Sequence, residues 1–400
     1  NLIMISAAAG VSTSSAAVGG SVVVSVQTET TEASIGRGTT ITAQDGDENP
    51  DVAVKASDTT DMLAIAGSVA ASAGSAGVGA GVNVHTLTKT TTAFIDNDVE
   101  ADVDGNVTVD AFSTEDISTV SASASASTSA AVNLTADVFV LTLTTRAYIG
   151  DEPRLYDDPA DYNAALTKAD IDANGSVRIE AVDETELDLI VGGISIGGSA
   201  GVGVAAGVAV VNKVTEAFIG AGADVTGQGN KSLAARTGSY DTSYVTEDAA
   251  MDSTAYEASA ASAPSKSALR ANAPTKNDLE IGAGQSSEVT GQISSDYDND
   301  GSDDAGSDSA QGLTKKRLAS AAKNMGFSGV AVTASAKDDI ESFAISGAGS
   351  GTVGVAVGAA VNVINSDTSA FIGTDADINQ HIGTPAGAQS VIVGAASDFN

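Results

Sequence analysis

One pattern, returning five times, restricts this chain more than any other feature. The tripeptide Ala93-Phe94-Ile95 recurs as Ala147-Tyr148-Ile149, Ala217-Phe218-Ile219 and Ala370-Phe371-Ile372, with Ala33-Ser34-Ile35 as a weaker first copy. Four of the five copies continue into glycine, at Gly36, Gly150, Gly220 and Gly373. They start at 33, 93, 147, 217 and 370, so they are separated by 60, 54, 70 and 153 residues. Upstream of each lies an Ala/Gly/Val alternation, as in 201–220 and 354–373. Downstream lies a segment of the form V-x-V-x-A, which begins at Val52, Val107, Val177, Val330 and Val391. The excess length always falls between the anchor and this closing segment. A unit of roughly sixty residues that repeats in this way buries its faces only against its neighbours.

Apolar residues that alternate with period two, bounded by Gly, Asn and Asp, predict strands, and period 3.6 is nearly missing outside the insertions. Within 75–95, Ala76, Val78, Ala80, Val82 and Val84 take one side, and Gly77, Gly79, Gly81, Asn83 and His85 take the other. Glycine weakens a strand and packs nothing, so a row of it predicts close approach of another backbone layer. The expected fold is all-β: an elongated β-solenoid, parallel β-helix-like, whose stacked units share a thin Ala/Val interior. Its five repeats cover 1–61, 62–116, 117–186, 187–339 and 340–400. The alternative is a series of antiparallel β-sandwich repeats, in which each 30-residue stretch folds into hairpins.

Composition supports a thin core. Apolar residues make up 42% of the 400 positions, but Trp is missing and there are only 8 Phe and 7 Tyr. The 52 acidic residues against 18 basic ones give a net charge of −34. That balance argues against nucleic acid and against anionic membrane surfaces, both of which select clustered Lys and Arg. It suits solubility and self-repulsion, or recruitment of divalent cations. With no cysteine, disulfides and thiolate metal sites are excluded. No run of 18 apolar residues is present, so no membrane insertion is expected. A start at Asn1 in mid-pattern reads as a segment of a longer protein.

The insertions are expected to leave one edge of the solenoid as a row. The smallest covers 44–51. A second, at 151–168, carries a helix start at Asp158-Pro159. The largest, from about 221 to 328, reads as a separate module, with a helix-permissive Ser/Ala stretch at 249–263 and a basic helix candidate at 313–325. Inside it, Asp296, Asp298 and Asp300 occupy positions 1, 3 and 5 of a calcium loop. Gly301 supplies the turn at 6, Ser302 a carbonyl at 7, and Asp304 lies at 9. Carboxylates on alternate residues converge on a hard cation, which makes Ca²⁺ the expected ion. The pattern resembles EF-hand, dockerin and thrombospondin-type loops. It departs at position 12, where Ser307 stands in place of Glu and Asp308 sits one residue late.

The two histidines, His85 and His381, lie in different repeats and read as strand-face or surface residues rather than bases. Lys, Arg and aromatic residues are too sparse for a carbohydrate-processing groove, so no enzyme is expected. The threonine row Thr86, Thr88, Thr90 and Thr92 would suit ice binding on a flat sheet, but corresponding places in other copies carry Val214, Glu216 and Asp367, which spoils a regular array.

The motif V-N-V, then Ala-[Phe/Tyr]-Ile-Gly, then V-x-V-x-A resembles the tandem repeats of very large secreted surface proteins of Gram-negative bacteria, the filamentous-adhesin and leukotoxin-like group. The likeness spans all five units. The first copy lacks the aromatic, and the fourth carries a far longer insertion. The resemblance implies a fibrous, non-catalytic extracellular segment at the bacterial cell surface, used for attachment or assembly. Its expected partners are more of the same repeat array or a second copy, and a host-cell, prey-cell or glycan ligand met by the insertions. The alternative function is a β-helix protein that binds or degrades polysaccharide.

Overall fold

The computed structural model describes residues 1–44, 50–151, 168–244, 317–380 and 389–399. The chain divides into two units, one of 1–239 with 322–400 and one of 240–321. Of the second unit only 240–244 and 317–321 are described, as strand ends. All five anchors belong to the first unit.

The repeat becomes a coil of three strands. The first coil holds β1 (Leu2–Ser12), β2 (Ala16–Ile35) and β3 (Thr40–Ala43), and the second holds β4 (Val52–Ser72), β5 (Ala76–Ile95) and β6 (Glu100–Val103). The third comprises β7 (Val107–Ser127), β8 (Ala130–Ile149) and β9 (Asp170–Ala173). The fourth comprises β10 (Val177–Gly197), β11 (Ala200–Ile219) and β12 (Asp224–Gly227). After β13 (Leu233–Tyr244) and β14 (Arg317–Phe327), the fifth coil runs through β15 (Gly329–Ser350), β16 (Val353–Ile372) and β17 (Asp377–Ile378), and β18 (Ser390–Phe399) comes last. No helix occurs among the described residues.

Corresponding strands stack into three parallel sheets. Sheet A has the order β1-β4-β7-β10-β15-β18, sheet B the order β16-β11-β8-β5-β2, and the narrow sheet C the order β17-β12-β9-β6-β3. The unit is a β-solenoid, and parallel pairing between coils excludes the antiparallel sandwich. The anchors lie in one column: Ala33, Ala93, Ala147, Ala217 and Ala370 are successive partners. Val52, Val107, Val177, Val330 and Val391 form another. The repeat boundaries at 62, 117, 187 and 340 fall inside β4, β7, β10 and β15, at positions that pair with one another.

Sheet C, invisible in the sequence pattern, gives the coil its cross-section. Sheets A and B meet at a tight serine-rich corner and diverge towards sheet C. At the wide end, inward Val, Ile and Ala from all three sheets form one apolar cluster, among them Val54, Ile95, Val103, Val109 and Ile171. A second cluster, around Leu87, Phe139, Leu141, Leu187 and Leu189, fills the middle. At the corner between sheets B and C the chain takes a left-handed turn at Gly38, Asp98, Gly222 and Asp375, with φ of 76°, 61°, 68° and 56°. Glycine and aspartate are among the few residues that adopt it readily.

Three expectations need correction. Alternation predicts an Ala/Val interior throughout, but along the first half of sheet B the Gly/Asn/His parity faces inward. Gly77, Gly79, Gly81, Asn83 and His85 are buried, while Ala76, Val78, Ala80, Val82 and Val84 face outward. Sheet A causes the inversion: a Cβ on Gly77 would stand 2.5 Å from the Ala126 carbonyl oxygen, and one on Gly79 would stand 2.8 Å from that of Ala124. Larger side chains have no room there. Second, residues 317–325 of the basic helix candidate lie in strand β14, which pairs with β13 in a two-stranded sheet. Helix propensity is a weak preference, and pairing with a neighbouring strand overrides it. Third, the spacing puts the start of the long insertion near 221, yet Asp224–Gly227 is a regular rung of sheet C. Added length therefore enters at both borders of that sheet: 151–168 before β9, and 44–51 and the segment after β12 beyond it. The helix expected at Asp158-Pro159 and the helix-permissive stretch 249–263 lie outside the described residues.

Candidate functional site

The calcium-loop residues Asp296, Asp298, Asp300, Ser302, Asp304 and Asp308 lie outside the described residues, as does His381. Among the described residues no group of three or more His, Cys, Asp or Glu side chains is arranged to hold a metal. An acidic column does run along the outer face of sheet A through Asp61, Asp116, Glu186 and Asp339. Burial, followed by the charges of Asp116, Asp188 and Asp339, raises the Glu186 carboxyl above its ordinary value.

The interior holds what the sequence did not reveal, two ionic clamps. Lys89 projects inward from β5 between the apolar clusters. Its Nζ lies 3.0 Å from Asp58 Oδ1 and 2.9 Å from Glu115 Oε1, and it donates to Thr60 Oγ1 at 3.2 Å. Two coils on, Lys213 of β11 reaches Asp183 Oδ1 at 2.7 Å and Asp338 Oδ1 at 2.8 Å, and donates to Thr185 Oγ1 at 3.0 Å. Both lysines are buried, and each joins carboxylates from two successive coils of sheet A. The acids avoid one another along each column: Asp58, Ser113, Asp183 and Ala336 are consecutive partners, as are Thr60, Glu115, Thr185 and Asp338. Burial pushes Glu115 up to about 7, the nearby Asp183 charge adds to this, and Lys89 opposes it. Burial likewise raises Asp338 against the pull of Lys213. A buried ion pair is a weak source of net stability, but removing one partner leaves an uncompensated buried charge, so each clamp favours the observed placement of its lysine against sheet A.

Nearer the thin corner, small polar side chains bridge the sheets. Asn83 donates to the Val120 carbonyl and to Asp137 Oδ2, each at 3.1 Å, and Thr135 donates to the Gly192 carbonyl at 3.1 Å. Burial pushes Asp137 up to about 6, with hydrogen bonds from Asn83, Thr119 and Ser121 opposing it. His85, expected on a strand face or at the surface, sits on a strand but points into the core. It is 1% exposed and tilted against Phe139 with ring centroids 5.6 Å apart. Neither ring nitrogen has a hydrogen-bond partner among the described residues, and burial lowers its pKa to about 4. That is unsuited to a base near neutral pH.

The outer faces differ along their length. The anchor aromatics Phe94, Tyr148, Phe218 and Phe371 stack outside sheet B at centroid distances of 4.9, 4.8 and 5.0 Å, within 5° of parallel. Towards the thin corner the same face becomes apolar. Val18, Val78, Val132, Val202 and Val355 form one outward column, and Val24, Val84, Val138, Val208 and Val361 form another. The sequence showed this alternation, and only the opposing sheet revealed that it points to solvent. No protein-family model matches the chain, and no curated protein or solved structure matches it.

Proposed function

We propose that this chain is a non-catalytic structural segment of an extracellular bacterial fibre or giant surface adhesin, with the solenoid as its rigid element. The observation that carries this reading is the unbroken register: twenty-residue strands of sheet B pair position for position through five coils, with the Ala and Ile of every anchor in line. Such a stack resists bending because every coil is bonded to its neighbours by a full row of backbone hydrogen bonds. Each buried lysine pairs with carboxylates from two coils, which suits mechanical alignment better than turnover of a substrate.

Sheet edges at either end of the stack, β2 on one side and β16 on the other for sheet B, suit continuation by further coils. Insertions at the borders of sheet C suit contact with a host cell, a prey cell or a glycan, and a loop built on Asp296, Asp298 and Asp300 suits Ca²⁺. The polysaccharide reading gains nothing from the aromatics, because their ring faces are taken up by one another. Cryo-electron microscopy and fibre diffraction of the purified chain test the proposal. Stacked coils, whether single or joined end to end into fibres, are expected to give a spacing of about 4.8 Å along one axis, and particles without that spacing would overturn it.

A further inference from the structure

We infer that the apolar outer face of sheet B is a self-association surface on which a second copy of this chain packs, sheet against sheet. The face consists of the alternate outward positions of 16–26, 76–86, 130–140, 200–210 and 353–363, held in register across five strands. Of these positions only Gly20 and Thr86 carry neither Ala, Val nor Leu, and none carries a charge. The side chains are exposed on the edge strands, where Val22 is 60% and Val357 50% open to solvent; on the inner strands Leu134 is 48% exposed and the β11 valines are half-buried by their neighbours.

Three observations select a second copy as the occupant. The first is size. Eleven residues at about 3.3 Å and five strands at about 4.8 Å give a face of about 36 by 24 Å, roughly 870 Å². A stable dimer needs about 800 Å² per partner, and an isolated apolar patch on a monomer is ordinarily smaller than this face. The second is charge. A chain of net charge −34 repels its copies wherever carboxylates face one another, and on this face two of them meet without any. The third is relief. Columns of one β-branched side chain, repeated at every strand, make regular ridges and grooves that a copy of the same surface can fill. Lipid fits less well, because the open sheet edges beside this face would carry unpaired backbone groups into hydrocarbon.

The surface goes beyond the rod reading and fails separately from it: rods that remain single would sink the pairing and leave the rod intact. The test uses the whole chain. Sedimentation equilibrium at about 10 µM is expected to give twice the 39.2 kDa monomer mass. Val138→Glu with Val208→Glu, neighbours on the two inner strands β8 and β11, is expected to return the monomer, with the circular dichroism spectrum unchanged because both side chains point outward, and with the melting temperature lowered because the stabilising partner is lost. The chain lacks cysteine, so Val138→Cys gives a single thiol, expected to cross-link between copies, while Thr59→Cys on sheet A does not. A wild type monomeric at 100 µM, or a dimer that survives both Glu substitutions, overturns the proposal. So does a monomer that floats with neutral phosphatidylcholine vesicles and loses this ability on Val138→Glu, since lipid would then be the occupant.

Discussion

Adding a single methyl group at Gly77, Gly79 or Gly81 tests whether the sheets meet backbone to backbone. The new Cβ would lie 2.5 Å from the Ala126 oxygen, 2.8 Å from the Ala124 oxygen and 3.2 Å from the Ala122 oxygen, respectively. Ordinary contact begins near 3.4 Å, so the sheets must part by about 0.9, 0.6 and 0.2 Å. Gly67 of β4, on the outer face of the same coil, is the control, since its Cβ would come no closer than 3.9 Å to another atom. Overpacking costs roughly 1–3 kcal/mol, while replacing Gly by Ala stabilises by about 0.4–1 kcal/mol through the unfolded chain. Gly77→Ala should therefore lose about 2 kcal/mol, Gly79→Ala about 1 and Gly81→Ala close to nothing, whereas Gly67→Ala should gain about 0.5. Urea unfolding followed by circular dichroism reads the order from the midpoints at constant slope. If Gly77→Ala were as stable as Gly67→Ala, the close approach of sheets A and B would be refuted.

Lys213→Met should destabilise by about 3–5 kcal/mol, because Asp183 and Asp338 keep their burial and lose their cation. The loss should shrink as pH falls and Asp338 protonates, and a penalty under 1 kcal/mol at pH 7 would show that the clamp is open to water. For His85, folding holds the pKa near 4 against 6.5, so the unfolded chain binds the proton first as the medium acidifies. Stability from the neutral ring is full above about 6.5 and is lost as pH falls towards 4. Relative to His85→Leu, the wild type should thus lose about 2 kcal/mol between pH 7.5 and 5, and parallel pH profiles of the two proteins would contradict the burial. Asp137 acts in the opposite sense: its carboxyl is raised to about 6, so its contribution improves as pH falls from 6 towards 4, and the comparison with His85→Leu removes it. Calorimetry of the intact chain should register Ca²⁺ binding at submillimolar to millimolar concentration, abolished by Asp296→Asn with Asp298→Asn and Asp300→Asn. Heats equal in both proteins would place the ion elsewhere.

The repeating anchor made the stacking legible. Ala93, Ala147 and Ala217 are equivalent in the pattern, and hydrogen-bonded coils turn that equivalence into one column. The glycines of 77–81 announced a close backbone layer for a local reason, the want of a side chain, and that layer is sheet A. The clamps were not legible. Lys213 and Asp338 are 125 positions apart, and nothing near either residue marks it as buried. Sheet C was missed because four-residue strands such as Glu100–Val103 are too short to show a period.

By itself, then, the sequence determined the β character, the length of the coil, the register between coils and the division of each strand into two faces, because period and repeat are properties of the chain. Only the tertiary structure decided which face turned inward. Alternation defines two sides without naming either, and the choice depends on how near the opposing sheet lies. At the wide end there is room for Val and Ile, so the apolar side went in; at the thin end only Gly and small polar side chains fit, and the valines were turned out to meet solvent.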